Sequence, residues 1–311
     1  MCGIAGFYDS TLSSGDAQIV LDKMLSSIAH RGPDARAAYS DESLYLGHNR
    51  LSIIDLSEHA NQPMHYDDYV IIFNGEMYNY LEVRKKLVEK NYSFKTQSDT
   101  EVVLAAYKEW GSDCVKEFVG MWAFVLWDKK KKELFASRDR FGIKPFYYIF
   151  EGNKLYFGSE YKALKQSPLF KNDLNFNQVS RGLQMGWICY QDETYFEKIK
   201  SLPAAHNLKL EVGSSKLEIK KYWDIETGKY SEMSFEEKKE KFLELFSDSI
   251  KLHMRSDVPV ASCLSGGLDS SAIVSMVQEL NPGKKYKSFS VYYEGKNDVD
   301  ERPFIYEVIK K

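Results

Sequence analysis

The sequence predicts two architectures in succession: an α+β body of layered sheets with helices over residues 2–224, then an α/β segment built on a parallel sheet over residues 235–311. Three observations carry this. Before the boundary, many short β-rich runs alternate with turn chemistry and only two stretches have helical periodicity, a texture that stacks sheets rather than bundling helices. Near residues 224–234 the texture changes. Beyond it, strand, glycine turn, helix and second apolar strand follow one another at βαβ spacing, which favours parallel pairing. The 311 residues suit two domains of about 150 each.

Taken in order, residues 17–29 set Ile19, Val20, Met24 and Ile28 at near-helical spacing, and residues 100–110 do the same with Val103, Ala106, Tyr107 and Trp110. Residues 44–46, 70–73, 121–127, 133–137, 145–150 and 154–158 read as strands, punctuated by turn signals such as Asn74-Gly75 and Glu151-Gly152-Asn153. Lys129, Lys130, Lys131 and Lys132, between two apolar runs and flanked by Asp128 and Glu133, read as a hairpin tip rather than a phosphate patch. In the second segment, Ser234 and Glu237 have the spacing of a capping box, opening a helix whose Phe242, Leu245, Phe246 and Ile250 would face a core. Residues 258–264 read as a buried strand, 265–271 as a glycine turn, 272–280 as a helix and 288–293 as the second strand.

Composition narrows the function classes. With 43% hydrophobic and 28% charged residues and a formal net charge of -3, the chain offers no basic field for a nucleic-acid partner. Its longest apolar stretch, residues 118–127, is too short for the ~20 residues that span a bilayer, so no membrane association is expected. Asp9, Asp16 and Asp22 in the first thirty residues argue against a secretory signal. Cys2, Cys114, Cys189 and Cys263 are far apart and lack zinc-ligand spacing, which predicts no disulfide framework, no metal site and a cytoplasmic location.

Two features carry chemistry. Cys2 follows the initiator methionine; once Met1 is removed, its α-amine, with a reference pKa of ~8, can serve as base for its own thiol. A cysteine at position two can also be accidental. The second feature is the run Ser265-Gly266-Gly267-Leu268-Asp269-Ser270-Ser271 between a strand and a helix, where glycines admit an anion and helix N-terminal amides face it. It lacks the lysine and spacing of a Walker loop, and Asp269 beside phosphate calls for a divalent cation such as Mg²⁺ between them. The plainer reading is a Gly-Gly turn with Asp269 and Ser270 as helix caps.

The motifs Cys2-Gly3-Ile4, His30-Arg31-Gly32-Pro33-Asp34, Asn49-Arg50-Leu51-Ser52-Ile53, Asn74-Gly75-Glu76, Ser98-Asp99-Thr100-Glu101, Arg138-Asp139-Arg140-Phe141-Gly142-Ile143-Lys144-Pro145, Gly158-Ser159-Glu160 and the 265–271 loop occur in that order. In this the chain resembles glutamine-hydrolysing asparagine synthetases along nearly its whole length. The resemblance implies an N-terminal-nucleophile glutaminase, an αββα four-layer sandwich, followed by an ATP-pyrophosphatase domain. It assigns Cys2 as nucleophile toward the glutamine side-chain amide, and the Asn74 amide and Gly75 N–H as oxyanion donors, each worth roughly 3 kcal/mol in the barrier. Arg50 would grip the α-carboxylate, Glu76 and Asp99 would receive the α-ammonium, and Ile53 would line the pocket. Outside the resemblance, Asn74-Gly75 is a hairpin signal, Arg50 a surface arginine and Asp99 a helix cap; residues 30–34 read mainly as loop structure.

For the second domain the resemblance implies ATP and Mg²⁺ as cofactors. Ser265, Gly267, Asp269 and Ser270 match the pyrophosphate loop, and Leu264 and Val291, the latter on the following strand, match positions contacting adenosine. There an aspartate carboxylate would be activated as an acyl-adenylate and amidated by ammonia from the first site. Asp300 and Glu301 read either as acidic site residues or as a solvated charged loop. A homodimer is compatible with the resemblance. Family members continue well past Lys311 to a further Ser-Gly motif, so the expectation is a truncated synthetase half and a chain that by itself hydrolyses glutamine without making asparagine. Two alternatives stay open: an amidotransferase acting on another carboxylate, such as a sugar acid, and a non-catalytic binding or regulatory chain. A phosphoribosyl amidotransferase shares the glutaminase logic, but the 265–271 loop argues against it.

Overall fold

The structure is a computed structural model that describes residues 1–292, 295 and 300–310. The chain divides into two compact units, Met1–Ile225 and Glu226–Lys311.

In chain order the first unit contains β1 (Gly3–Tyr8), α1 (Ser14–Ser27), β2 (Ala35–Asp41), β3 (Leu44–Arg50), β4 (Met64–Tyr66), β5 (Tyr69–Met77), α2 (Tyr80–Glu89), α3 (Asp99–Trp110), β6 (Gly120–Asp128), β7 (Glu133–Arg138), β8 (Tyr147–Glu151), β9 (Lys154–Gly158), α4 (Tyr161–Leu164), α5 (Phe176–Met185), β10 (Lys200–Ser201), β11 (His206–Glu211) and β12 (Glu218–Lys221). They form two antiparallel six-stranded sheets, ordered β10-β8-β9-β1-β3-β2 and β12-β11-β7-β6-β5-β4. Period-two patterning decides the layers. Along β6, Ala123, Val125 and Trp127 join Ile4, Leu46 and Phe157 of the other sheet in the core between the sheets. The alternate residues Trp122, Phe124 and Leu126 pack outward against Val83, Leu87, Val103 and Ala106 of α2 and α3. On the far side, Leu21, Met24 and Leu25 of α1 and Leu164 of α4 cover Phe7, Tyr45 and Tyr156. The result is helix, sheet, sheet, helix.

Several sequence readings shift. The helix read at 17–29 is α1, capped by Ser13, whose hydroxyl accepts from the Asp16 amide; it buries Ala17, Leu21, Met24 and Leu25, while Ile19 lies outside that face and is exposed. Asn74-Gly75 is not a turn: both sit inside β5, opposite Ala123 and Trp122 of β6. The ladder overrides the local turn preference because the flanking residues are buried on both faces. The four-lysine tip does join β6 to β7, with Lys132 at φ +50° and ion-paired to Glu42. The sequence reading missed β1, whose GIAGFY run is too glycine-rich to look like a strand, and α2.

The second unit contains α6 (Phe235–His253), β13 (Ala261–Cys263), α7 (Leu268–Leu280), β14 (Lys287–Phe289) and α8 (Arg302–Ile309). The capping box is formed, with Ser234 and Glu237 exchanging side-chain and backbone hydrogen bonds. Of the four α6 residues expected in a core, Ile250 is buried, whereas Phe242 and Leu245 are exposed and the Phe242 and Phe246 rings stack at 5.8 Å. β13 and β14 pair in parallel, but β13 is shorter than the run 258–264 and is not buried, since a two-stranded sheet encloses little. β14 ends at Phe289, so Val291 lies beyond the strand and is 73% exposed; Tyr293, the end of the expected run, lies outside the described residues, as does Lys311.

Candidate active site

The antiparallel register of β1 and β3 sets Gly3 opposite Asn49, which brings Cys2 level with Arg50. Cys2 is held by its neighbours on both sides. Its Sγ accepts from the Leu51 N–H at 3.3 Å and approaches the Leu51 carbonyl at 3.5 Å, and its carbonyl accepts from Arg31 Nε at 2.9 Å. Arg31 is itself fixed by Glu160 at 3.1 Å, and the Ile4 N–H donates to Ser159 Oγ at 3.0 Å. The His30–Asp34 and Gly158–Glu160 motifs thus pin the strand that carries the thiol, a role the loop reading of residues 30–34 did not contain.

A cavity of about 380 Å³ opens beside Cys2, a volume within the usual range for small-molecule sites. All seven residues expected for glutamine chemistry line it: Cys2, Arg50, Ile53, Asn74, Gly75, Glu76 and Asp99. Asn74 is 1% exposed, and its side-chain Nδ2 is buried without a hydrogen-bond partner. A native interior rarely leaves such a donor idle. Its strand is fixed through the preceding residue: the Phe73 N–H donates to Gln62 Oε1 at 2.6 Å, and the buried His48 donates from Nε2 to the Phe73 carbonyl at 3.1 Å. Gln62 also donates to Thr100 Oγ1 at 3.2 Å, tying β5 to the start of α3. Gly75 has no alternative residue, because a Cβ there would stand 2.4 Å from the Met121 carbonyl oxygen.

Charge is arranged across the cavity. Arg50 is buried, not a surface arginine, and donates to the Ser57 carbonyl at 2.7 Å, to Asn61 Oδ1 at 2.9 Å and to the Asp55 carbonyl. Asp99 is not the helix cap: Ser98 takes that place, accepting from the Thr100 N–H, while the Asp99 carboxylate accepts from the Met77 N–H at 2.9 Å. Burial, reinforced by the Glu76 carboxylate, pushes Asp99 up to about 6 against the pull of the Met77 amide. Burial likewise pushes the Cys2 thiol up, opposed by the Leu51 amide and the N-terminal ammonium. The amine of Met1, present until that residue is removed, is lowered by burial and, against the pull of Cys2, by the Arg31 and Lys144 charges.

Lys144, which the sequence reading quoted but gave no task, also lines the cavity. Its loop is organised by Asp139, a buried carboxylate that accepts from the Trp122, Phe141, Ile143 and Lys144 amides at 3.1, 3.1, 2.9 and 2.9 Å. Arg138 completes it, donating to the Lys144 carbonyl at 2.8 Å and the Gly142 carbonyl at 2.8 Å. Four main-chain bonds to one aspartate explain the spacing of the 138–145 motif.

In the second unit, Ser265 and Gly267 lie in the turn between β13 and α7, whereas Asp269 and Ser270 stand in the first turn of α7, which starts at Leu268, earlier than the helix read at 272–280; the Ser265 N–H donates to Ser270 Oγ at 3.3 Å, and Leu264 is buried just before the turn. Gly266 is left-handed at φ +80°, and a Cβ there would meet Phe304 at 2.6 Å. Asp300 is engaged by Arg302 at 2.6 Å. Among the described residues no group of three or more His, Cys, Asp or Glu side chains could hold a metal ion, no helix is long and apolar enough to cross a membrane, and all four cysteines are free.

A two-sheet sandwich between helices, with a thiol on residue 2 at the head of a central strand, has the architecture of the N-terminal-nucleophile fold. A family profile for the glutamine amidotransferase domain matches residues 1–223, and the chain belongs to that family; an asparagine synthase profile matches residues 241–311. A Methanocaldococcus jannaschii relative is 40% identical over 99% of this chain and 62% of its own length. The glutamine-hydrolyzing asparagine synthetase 1 of Bacillus subtilis is 39% identical over 96% of this chain and 47% of its own, and amidase chry2 of Gibberella zeae is 35% identical over 90% and 43%. The chain therefore spans about half the length of the curated relatives it matches. Among solved structures, the glutamine phosphoribosylpyrophosphate amidotransferase of Bacillus subtilis, complexed with ADP and GMP, covers 92% of this chain with 65% of its own, at a TM-score of 0.52 and 16% identity, a likeness of fold alone.

Proposed function

We propose that the first unit hydrolyses glutamine and supplies ammonia for an ATP-dependent amidation, with aspartate as acceptor and asparagine as product. One observation carries the first half: the buried, unpartnered Asn74 amide lines the same cavity as the Cys2 thiol, with Arg50 and the Glu76 and Asp99 carboxylates beside them. Glutamine binds with its α-carboxylate on Arg50 and its α-ammonium on Glu76 and Asp99, while Ile53 packs its methylenes. After Met1 is removed, the Cys2 thiol passes its proton to its own α-amine and the sulfur attacks the side-chain carbonyl carbon. The oxyanion is received by the Asn74 amide and the Gly75 N–H. The C–N bond then breaks as the ammonium returns the proton to the departing ammonia, and water cleaves the γ-glutamyl thioester to glutamate and free thiol.

For the second unit, the donor set suits a polyphosphate: glycine backbone, two serine hydroxyls and the N-terminus of a thirteen-residue helix. Ser265, Gly267 and Ser270 would hold the phosphates of ATP, Leu264 would contact the nucleoside, and Asp269 would face the Mg²⁺ that accompanies it. Bound there, ATP would activate the acceptor carboxylate. The relative at 39% identity, named a glutamine-hydrolyzing asparagine synthetase, supports aspartate as acceptor. The glutaminase step is tested by mixing the Met1-free chain with glutamine and measuring glutamate and ammonia. Release without ATP, abolished in Cys2→Ala, supports the reading. No release, or release that survives Cys2→Ala, overturns it. Supplying ATP with [amide-¹⁵N]glutamine and a panel of carboxylates, aspartate among them, to the purified protein would identify the acceptor.

A further inference from the structure

We propose that Lys144 is the fixed counter-charge of the Cys2 thiolate, a further electrostatic determinant of the nucleophile that rests on the glutaminase reading above. The side chain is 4% exposed, and among the described residues its ammonium has one hydrogen-bond partner, the Met1 thioether at 3.3 Å. A thioether is a weak acceptor, so the ammonium is buried against a poor hydrogen-bond partner, an arrangement that costs stability unless the site uses it. The loop cannot swing the group away. The Asp139 carboxylate accepts from the Lys144 N–H, and Arg138 Nε donates to the Lys144 carbonyl.

The partner that covers the ammonium is the residue whose removal generates the nucleophile. Without Met1, the Lys144 ammonium shares the cavity wall with the α-amine and thiol of Cys2. With Met1 in place, the charges bearing on the thiol include the Met1 amine, Asp99 and Arg50; those bearing on Lys144 include Glu76, Arg31, Cys2 itself and Asp139. Of the cations, Arg50 is committed to its loop and to the substrate carboxylate, and the α-amine cycles between charged and neutral as it relays the proton. Burial holds Lys144 below the ordinary lysine value, opposed by the Glu76 and Cys2 charges, and no step of the reaction takes its proton. It therefore opposes burial of the thiolate when the S–H bond ionises, and again when the C–S bond of the thioester breaks and its electron pair returns to sulfur.

The test reads the thiol itself. Met1-free wild type, Lys144→Met, Lys144→Gln and Lys144→Arg are alkylated with iodoacetamide from pH 5.5 to 10, and modification of the N-terminal peptide is followed by mass spectrometry, which separates Cys2 from Cys189 and Cys263. The expected result is a midpoint raised by about one pH unit in the Met and Gln variants, with roughly tenfold slower alkylation at pH 7, and a wild-type profile in the Arg variant. A packing role would leave the titration of the folded neutral variants where it was. Superimposable profiles in wild type and whichever neutral variant folds overturn the proposal. If the neutral variants shift the thiol but no form of the protein hydrolyses glutamine, the Lys144 pairing stands and the glutaminase reading falls.

Discussion

Replacing Asn74 by alanine should separate catalysis from stability in a way few cavity residues allow. Asn74 is 1% exposed and its Nδ2 has no hydrogen-bond partner among the described residues, while its backbone is clamped through Phe73 by Gln62 at 2.6 Å and His48 at 3.1 Å. The amide has no ground-state bond to surrender and little freedom to lose, so its strength is available when the glutamine carbonyl becomes an oxyanion. Removing one such donor costs about 10²–10³ in kcat, ~2.7–4 kcal/mol. In the resting protein the same amide is an unsatisfied buried donor, a condition that itself costs about 1–3 kcal/mol, so its deletion should leave Tm unchanged or slightly raised despite the small void. The assay is steady-state ammonia release against glutamine concentration, alongside thermal unfolding of the same preparation. A kcat within tenfold of wild type, or a loss carried wholly by KM, would refute the donor role.

Three further outcomes follow from the same geometry. Asp99 must be ionised to receive the α-ammonium, so with its carboxyl near 6, kcat/KM for glutamine should fall about tenfold per unit below pH 6; a flat profile down to pH 5 would exclude it. Because that value lies above the unfolded one, the native state holds the extra proton between roughly pH 4 and 6 and loses stability as pH rises through that window. Asp99→Asn should accordingly raise Tm at pH 7.5, lose most of that gain at pH 4, and raise KM steeply. Gly75→Ala puts a Cβ 2.4 Å from the Met121 carbonyl oxygen and 2.8 Å from Trp122 Cα, forcing β5 and β6 apart; urea unfolding should show a loss of about 1–3 kcal/mol, and a variant as stable as wild type would contradict the packing. Asp139→Ala strands four main-chain amides and should cost more than about 3 kcal/mol by the same measurement, with under 1 kcal/mol counting against its organising role.

A likeness of fold at 16% identity carries no chemistry with it. The solved amidotransferase with a TM-score of 0.52 acts on a phosphoribosyl substrate by its title, yet shares 16% identity, whereas the 39% identical relative is named an asparagine synthetase. The two sheets and their covering helices form a platform that many acceptors can share.

What the sequence determined by itself is what short-range physics encodes. The alternation Trp122, Phe124, Leu126 against Ala123, Val125, Trp127 specified a strand with two buried faces, and Ser234 with Glu237 specified a helix start, because period and capping act within four residues. The motif order marked Cys2, Arg50, Asn74, Gly75, Glu76 and Asp99 as one constellation, and the cavity gathers all six. Only the tertiary structure decided the rest. Asn74-Gly75 became strand rather than turn, Asp99 a buried acceptor rather than a cap, Arg31 a clamp on the Cys2 carbonyl and Lys144 a cavity cation. Each of these outcomes depends on partners far along the chain, as when the Ile4 amide meets the Ser159 hydroxyl across 155 residues. Burial and the loss of water that shift Asp99 and Cys2 arise when such partners converge, and a local pattern carries no record of that convergence.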